Sequence, residues 1–167
     1  MKINFFKKEC QTKHVTAERF GIRDDAHGTP PYIDYDPGNR PLWVARVENR
    51  SGLPINFTAI DNCIDIFRPD GRRDFRCDAM LTTAQHIIFI ELKEQRNGWV
   101  RHAVEDQLQT TIDHFKANHD INRYRHKLAY ACNRLHPKFQ YSRIGYMQDF
   151  WERNQVKLIL ANRVIVR

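Results

Sequence analysis

The residues most able to do chemistry in this chain are Glu91 and Lys93, which close a long apolar run. Residues 87–92 read Ile-Ile-Phe-Ile-Glu-Leu, and Lys93 follows. A β-strand places alternate side chains on opposite faces, so Glu91 and Lys93 share one face of a strand whose first half is apolar on both faces. A carboxylate and an ammonium in such a strand are costly unless they are paired or used. A solvent-exposed ion pair is the simpler alternative, and this triplet alone leaves both interpretations open.

A second carboxylate, that of Asp78, is expected to lie opposite Glu91. A hairpin centred between Ala84 and Gln85 pairs residue 78 with residue 91, and paired residues on antiparallel strands project to the same face. Two converging carboxylates make an oxygen-rich site for Mg²⁺, which keeps several waters and completes its shell with substrate phosphate. An ammonium beside the metal can orient an attacking water or help to deprotonate it, and can offset phosphate charge. The constellation suits hydrolysis of a phosphodiester bond.

The elements that position these residues are read from hydrophobic periodicity. Apolar spacing predicts one helix at 99–118 and strands at 42–47, 55–67, 73–81, 87–93, 127–132, 156–160 and 164–166. Three of these strands in succession form a meander, which a helix and another strand follow. Turn-rich residues at 28–31 and 36–41 predict an irregular N-terminal extension over 1–41, with at most a helical turn at 16–20. The expected fold is one α/β domain over 1–167 with a mixed central sheet.

Asp78, followed thirteen positions later by Glu91-Leu92-Lys93 and then by a helix, resembles the PD-(D/E)xK nuclease superfamily. The resemblance covers about 55–132. It implies a restriction-endonuclease-like core and a nuclease site that uses Mg²⁺, with Mn²⁺ as a substitute. The residue roles that it implies are metal ligation by Asp78, Glu91 and the Leu92 backbone carbonyl, catalysis by Lys93, and support from Gln107 on the following helix.

Four features depart from the superfamily pattern or leave it open. Cys77 stands where many members have proline. Pro69-Asp70 also fits the spacing to Glu91, but Asp70 sits in a turn, so Asp78 is preferred. No N-terminal helix with an acidic residue completes the core. Asp61 is either an additional metal ligand or a solvated residue at a strand edge, and both alternatives stay open.

The charge balance favours a polyanionic partner. The chain carries 27 Lys and Arg against 20 Asp and Glu, a formal charge of +7. Aromatic side chains alternate with a basic set that we predict to contact nucleic acid, DNA in preference to RNA: Arg123, Arg125, Lys127, Lys138 and Arg143. A packed aromatic core with a solvated charged face is the competing explanation. The alternative function is a non-catalytic protein that binds nucleic acid or a partner on the same fold, and a homodimer is left open.

Composition bears on the cellular environment that we expect for the protein. No apolar run approaches the roughly 18 residues that cross a bilayer, so no membrane role is expected. The N-terminus lacks the apolar segment of a secretory signal. The four cysteines form no C-x-x-C pair, and the eight histidines lack zinc-ligand spacing. The expectation is four free thiols in a reducing cytoplasm.

Overall fold

A computed structural model describes residues 2–135 and 144–167. The strands are β1 (Gln11–Val15), β2 (Arg19–Arg23), β3 (Tyr32–Asp34), β4 (Ala45–Asn49), β5 (Ile55–Ala59), β6 (Ala79–Thr82), β7 (His86–Lys93), β8 (His126–Asn133), β9 (Lys157–Leu160) and β10 (Arg163–Val166). The helices are α1 (Gln109–Asn118), which continues a π-helical segment (His102–Leu108), and α2 (Ile144–Asn154). Short 3₁₀ turns lie at Lys8–Cys10, Pro37–Leu42 and Ile121–Arg123.

The larger sheet has the strand order β1-β5-β6-β7-β8-β9. Strands β5, β6 and β7 form an antiparallel meander, after which β8 and β9 add in parallel. The connection from β7 to β8 runs through α1, as parallel neighbours require a crossover. The predicted meander, helix and strand are confirmed, and the chain is a mixed α/β protein.

The register of the β6–β7 hairpin is the predicted one. Ala79 pairs with Ile90 and Thr82 with Ile87, which centres the hairpin between residues 84 and 85. The Asp78 N–H donates at 3.1 Å to the carbonyl of Ile90, the residue that already pairs with Ala79, so the regular ladder ends at Ala79. Asp78 therefore lies beside the Ile90–Leu92 segment of β7, next to Glu91, without forming a regular cross-strand pair with it.

Strand β7 is buried on both faces. Ile87 and Phe89 pack in a cluster beneath α1 and the π-helical segment, whereas Ile88 and Ile90 pack between the two sheets. The apolar run of this strand is the centre of the whole fold, and Glu91 faces the helical side because it alternates with Ile88 and Ile90.

The prediction of an irregular segment over 1–41 was wrong. Strand β1 pairs with β5 at the edge of the larger sheet, and β2 and β3 belong to a second sheet of order β10-β4-β2-β3. The predicted helical turn at 16–20 was also wrong, because β2 begins at Arg19. Gly21, interpreted as a helix end, lies within β2, where an added Cβ would approach the Trp43 ring to 2.1 Å. Close packing against this ring explains the glycine.

Several other elements end at residues that differ from those predicted by the hydrophobic periodicity. The predicted strand at 55–67 ends at Ala59, and of the strand at 73–81 only β6 forms, although an isolated bridge between Phe67 and Arg73 retains the predicted turn. Helix α2 was missed because its hydrophobic residues were interpreted as part of a basic, aromatic-rich segment instead of as one face of a helix. No helix in the described ranges is long and apolar enough to cross a membrane.

Two cysteines depart from the expected free thiols. Cys10 and Cys63 form a disulfide, whereas Cys77 and Cys132 are free and buried. The two bonded residues are 53 positions apart, and the pairing of β1 with β5 brings them together. Sequence spacing alone carries no trace of this disulfide. The structure thereby removes the observation on which the cytoplasmic expectation rested.

Candidate metal centre

The carboxyl groups of Asp78 and Glu91 are buried together beside the end of β7. Asp78 is 6 % exposed and Glu91 is 1 % exposed. Asp78 is held by hydrogen bonds to the Ile90 carbonyl and from the Leu92 N–H, and Glu91 by its place in a strand that neighbours cover on both faces. The two side chains meet as the sequence predicts.

The buried Glu91 carboxylate lacks hydrogen-bond donors within the described part of the chain. Among the described residues, neither of its carboxylate oxygens accepts a hydrogen bond. Burial, followed by the nearby Asp78 carboxylate, raises the pKa of Glu91 well above its usual range. A buried carboxylate without donors is costly, so a cation in this position would relieve the energetic penalty.

Asp78 is tied to the backbone of the opposite strand. Its Oδ2 accepts a hydrogen bond of 2.7 Å from the Leu92 N–H. Burial has the largest effect on the pKa of Asp78 and raises it. The contact with Glu91 and the hydrogen bond from the Leu92 N–H lower the pKa by less, so the net shift is upward. The bond brings the main chain at Leu92, whose carbonyl was the predicted backbone ligand, next to the carboxyl pair.

Lys93 is the cation that pairs with Glu91. Its Nζ lies 3.5 Å from Glu91 Oε2, and its side chain is 12 % exposed. The ion pair considered in the sequence analysis therefore exists, but both partners are largely buried instead of solvated. Burial of this kind distinguishes the pair from a surface salt bridge, which contributes little to stability.

Gln107 lies on the π-helical segment that packs over β7. Its Oε1 is buried and has no hydrogen-bond partner within the described part of the chain. π-Helical turns are rare and occur often at functional sites. Thr111 links this segment to the carboxyl pair, because its Oγ1 donates to the Gln107 carbonyl at 2.8 Å and accepts from the Cys77 N–H at 2.7 Å.

Asp61 is anchored beside Asp78 but is already paired. The N–H groups of Ile60 and Asp61 donate to the Asp78 carbonyl at 2.8 and 3.1 Å. The Asp61 carboxylate forms a salt bridge of 2.8 Å with Arg76. Its position next to the site keeps the ligand alternative open, and the salt bridge gives it a structural role as well.

Asp24 is a residue that sequence reasoning missed. It follows β2 directly, and burial, followed by the charges of Asp78 and Asp61, raises the pKa of Asp24 to about 6. The N-terminal region therefore does place an acidic group near Asp78, at the end of a strand instead of on a helix. The strand pattern at 19–23, ending in two aspartates, was the available signal.

Asp70, the competing aspartate, is remote from this chemistry. It is in the turn at 68–72, where its carboxylate accepts from the Arg72 N–H at 2.9 Å, and its side chain is 56 % exposed. The choice of Asp78 over the literal Pro69-Asp70 agrees with these positions.

The predicted basic surface does not adjoin the carboxyl pair. Arg123 and Arg125 precede β8, and Lys127 is at its start, whereas Glu91 pairs with Ala131 near the other end of that strand. Ala131 lies five residues beyond His126, the first residue of β8, which is about 16 Å of strand. Lys138 and Arg143 lie outside the described residues.

The donor set fits a hard divalent cation better than a soft one. In the ranges 2–135 and 144–167, no group of three or more His, Cys, Asp and Glu side chains is arranged to hold a metal. Mg²⁺ needs fewer protein ligands, because it is commonly bound by one or two carboxylates, with waters and phosphate oxygens completing its shell. The buried, donor-free Glu91 carboxylate beside Asp78 meets that requirement.

Comparison with known proteins found no match for the chain among family models, curated proteins or solved structures.

Proposed function

We propose that this protein is a metal-dependent nuclease with a restriction-endonuclease-like core that hydrolyses phosphodiester bonds. The observation that carries the proposal is the Glu91 carboxylate, which is buried without hydrogen-bond donors beside Asp78 and Lys93. A buried Glu–Lys pair that served only the fold could be replaced by two apolar side chains at little cost. The same group is useful where a cation and a phosphate must be held.

Each residue of the site has a distinct role in this proposal. Asp78, Glu91 and the Leu92 carbonyl would hold Mg²⁺ or Mn²⁺, and the bound ion would supply Lewis-acid activation of the phosphate and a more acidic water. Lys93 orients the attacking water and offsets phosphate charge. Gln107, whose buried amide oxygen has no partner in the described chain, positions the water or substrate. Asp24 and Asp61 add negative charge at the rim.

The proposed substrate is nucleic acid, DNA in preference to RNA. The formal charge of +7 favours a polyanion, since counterion release dominates the affinity of proteins for nucleic acids. The cytoplasmic location and the homodimer stay predictions, and neither is required by the site.

The deciding experiment is a cleavage assay on single- and double-stranded DNA and RNA with Mg²⁺, Mn²⁺ or chelator. We expect metal-dependent cleavage by the wild type and a loss of at least about 100-fold in Glu91→Gln and Lys93→Met, since charge-stabilising and proton-transferring groups contribute factors of this size. Asp70→Asn is the matched control, because it removes the decoy carboxylate from an exposed turn, and it should cleave like the wild type.

Two results would contradict the proposal. Cleavage that survives unchanged in both Glu91→Gln and Lys93→Met would show that the chemistry lies elsewhere. Calorimetry that detects no Mg²⁺ or Mn²⁺ binding to the wild type, together with metal-independent binding of nucleic acid, would favour the non-catalytic binding protein instead.

A further inference from the structure

A groove lies at the opposite end of the larger sheet from the carboxyl pair. It has a volume of about 880 Å³. We call it the basic groove and define it by the five cations that line it: Arg125, Lys127, Lys157, Arg163 and Arg167. No Asp or Glu among the described residues lines this groove.

Strand alternation builds the floor and one wall. Leu128 pairs with Lys157 and Tyr130 with Ile159, so these side chains share one face of β8 and β9. On β10, Val164 and Val166 are buried between the sheets, which leaves Arg163, Ile165 and Arg167 on the other face, towards the groove. The groove is therefore a product of the fold, with apolar side chains beneath a basic rim.

Most of these cations have no acidic partner. Among the described residues, only Arg163 of the five forms a salt bridge, with Glu48 on β4. Lys127 instead donates to the Asn122 side chain at 3.1 Å. Like charges that converge without counterions repel one another, so a polyanion entering the groove would be attracted by all of them.

An aromatic side chain stands at the rim of the groove. Trp151 on α2 lines the groove and is 49 % exposed, whereas Trp43 and Trp99 are 4 % and 7 % exposed. An accessible indole beside a row of cations is the combination by which proteins hold single strands: the cations follow the phosphates and the ring stacks on a base. A duplex would not offer its stacked bases to this ring.

We propose that the basic groove binds single-stranded nucleic acid, with Arg125, Lys157 and Arg167 on the phosphates and Trp151 stacked on a base. As a substrate-holding site, about 16 Å along β7 from Glu91, the groove rests on the proposed nuclease function. Binding itself requires no cleavage. The groove would hold a single-stranded part of the substrate away from the site of hydrolysis.

The test is binding in chelator, which stops hydrolysis while leaving the groove intact. A fluorescein-labelled 20-nucleotide oligo(dT) is titrated with protein and followed by anisotropy. We expect Arg125→Gln/Lys157→Gln to weaken binding at least about tenfold and to reduce the salt slope by about 0.7 for each phosphate that the variant no longer neutralises. The matched control, Lys13→Gln/Arg19→Gln, removes one exposed lysine and one exposed arginine elsewhere and should bind like the wild type.

Tryptophan fluorescence reports on the groove directly. Because Trp43 and Trp99 are buried, acrylamide quenching should arise mainly from Trp151. Bound oligo(dT) should protect the wild type from acrylamide, and Trp151→Leu should lose both the protection and part of the affinity. A mononucleotide or a blunt duplex of equal length should protect much less.

Clear results would overturn the proposal. If the groove variant and the control variant lose oligo(dT) affinity equally, the binding is non-specific charge attraction and not binding in the groove. Protection of Trp151 by a duplex or a mononucleotide to the same degree would assign the groove to another ligand. Glu91→Gln separates this proposal from the proposed function: it should bind oligo(dT) normally while failing to cleave, and either property can be lost without the other.

Discussion

Glu91 shows at the scale of one residue how far the chain departs from what stability alone would select. Its neighbours on β7 are apolar and buried, and its carboxylate has neither a hydrogen-bond donor in the described residues nor solvent. Lys93 at 3.5 Å compensates only in part. Unsatisfied buried charge of this kind is expected where a ligand completes the site.

Replacing this carboxylate by its neutral isostere should stabilise the protein. In chelator at pH 8, we expect Glu91→Gln to raise the free energy of unfolding by about 1–3 kcal/mol, because the amide removes the cost of ionising a buried group, and Lys93 at 3.5 Å offsets only part of that cost. Denaturant unfolding measures the difference.

Magnesium provides the second half of this experiment. Adding Mg²⁺ should raise the stability of the wild type and not that of Glu91→Gln, since a ligand stabilises only the state that binds it. Glu105→Gln, an exposed carboxylate on the π-helical segment, is the control and should leave stability within about 0.5 kcal/mol. Destabilisation of Glu91→Gln in chelator would mean that the ion pair with Lys93 outweighs the cost of burying the carboxylate.

At the scale of elements, Thr111 connects the helix to the hairpin. Its Oγ1 joins the Gln107 carbonyl to the Cys77 N–H, and Cys77 directly precedes Asp78. The Thr111 side chain is fully buried. It therefore acts as a positioning residue, fixing the chain just before Asp78 against the helix that carries Gln107.

Removing this hydroxyl should weaken both the fold and the site. Thr111→Val preserves shape but leaves the buried Cys77 N–H without an acceptor, so we expect a loss of about 1–3 kcal/mol in the free energy of unfolding. Mg²⁺ affinity measured by calorimetry should fall with it, since Asp78 loses its anchor. Thr110→Val, on the adjacent and partly exposed position, should change neither quantity; equal effects of the two variants would deny Thr111 this role.

An ion pair links β4 and β10, which are neighbouring strands of the second sheet. Glu48 on β4 accepts from Arg163 on β10 at 2.7 and 2.9 Å, and also from Arg50. Hydrogen bonds from Arg163, followed by those from Arg50, lower the pKa of Glu48 from 4.5 to about 2. The ionised form is thus favoured in the folded state.

This lowered pKa sets the sign of a pH dependence. The contribution of Glu48 to stability should be fully present above pH 4.5 and lost as the pH falls towards 2. The stability difference between wild type and Glu48→Gln, measured by denaturant unfolding, should therefore be constant above about pH 5 and shrink below it. Glu9→Gln, an exposed control, should show no such change; a difference that is independent of pH down to about 2.5 would contradict the assignment.

The parts of this fold that were predictable are those with strong local signals. Strand β7 and the register of its hairpin followed from one apolar run and one turn, and they place Asp78 beside Glu91 at the end of the regular ladder. Strands β2 and β3 were missed, because their apolar residues lie among turn-forming ones and the strands are stabilised by pairing in the second sheet, β2 with β4 and β3 with β2. Asp24 was missed for the same reason, since its place depends on that second sheet.

For the molecule as a whole, the two sheets and the helices form layers around two apolar clusters. One cluster lies between the larger sheet and the helices, and the other between the sheets. The candidate metal centre and the basic groove occupy different ends of β7 and β8, so the proposed catalytic and binding roles are separable by mutation.

The Cys10–Cys63 disulfide links the N-terminal segment to the turn that follows β5. The closed loop spans 53 residues and includes β1 to β5, so opening it should cost about 4 kcal/mol by loop-closure entropy. Cys10→Ser/Cys63→Ser should lose stability by roughly this amount, and dithiothreitol should lower the wild type to the same level. Thiol titration of the denatured, unreduced wild type should find two free thiols, those of Cys77 and Cys132.

The double variant is the control for the reductant, because dithiothreitol should not change its free energy of unfolding. Four titratable thiols in freshly isolated wild type, with no effect of dithiothreitol on unfolding, would restore the free-thiol expectation and with it a reducing environment. Because the Cys63 turn also carries Asp61, whose N–H donates to the Asp78 carbonyl at 3.1 Å, reduction should lower Mg²⁺ affinity as well as stability. Calorimetry with and without dithiothreitol measures that coupling between the N-terminal segment and the candidate metal centre.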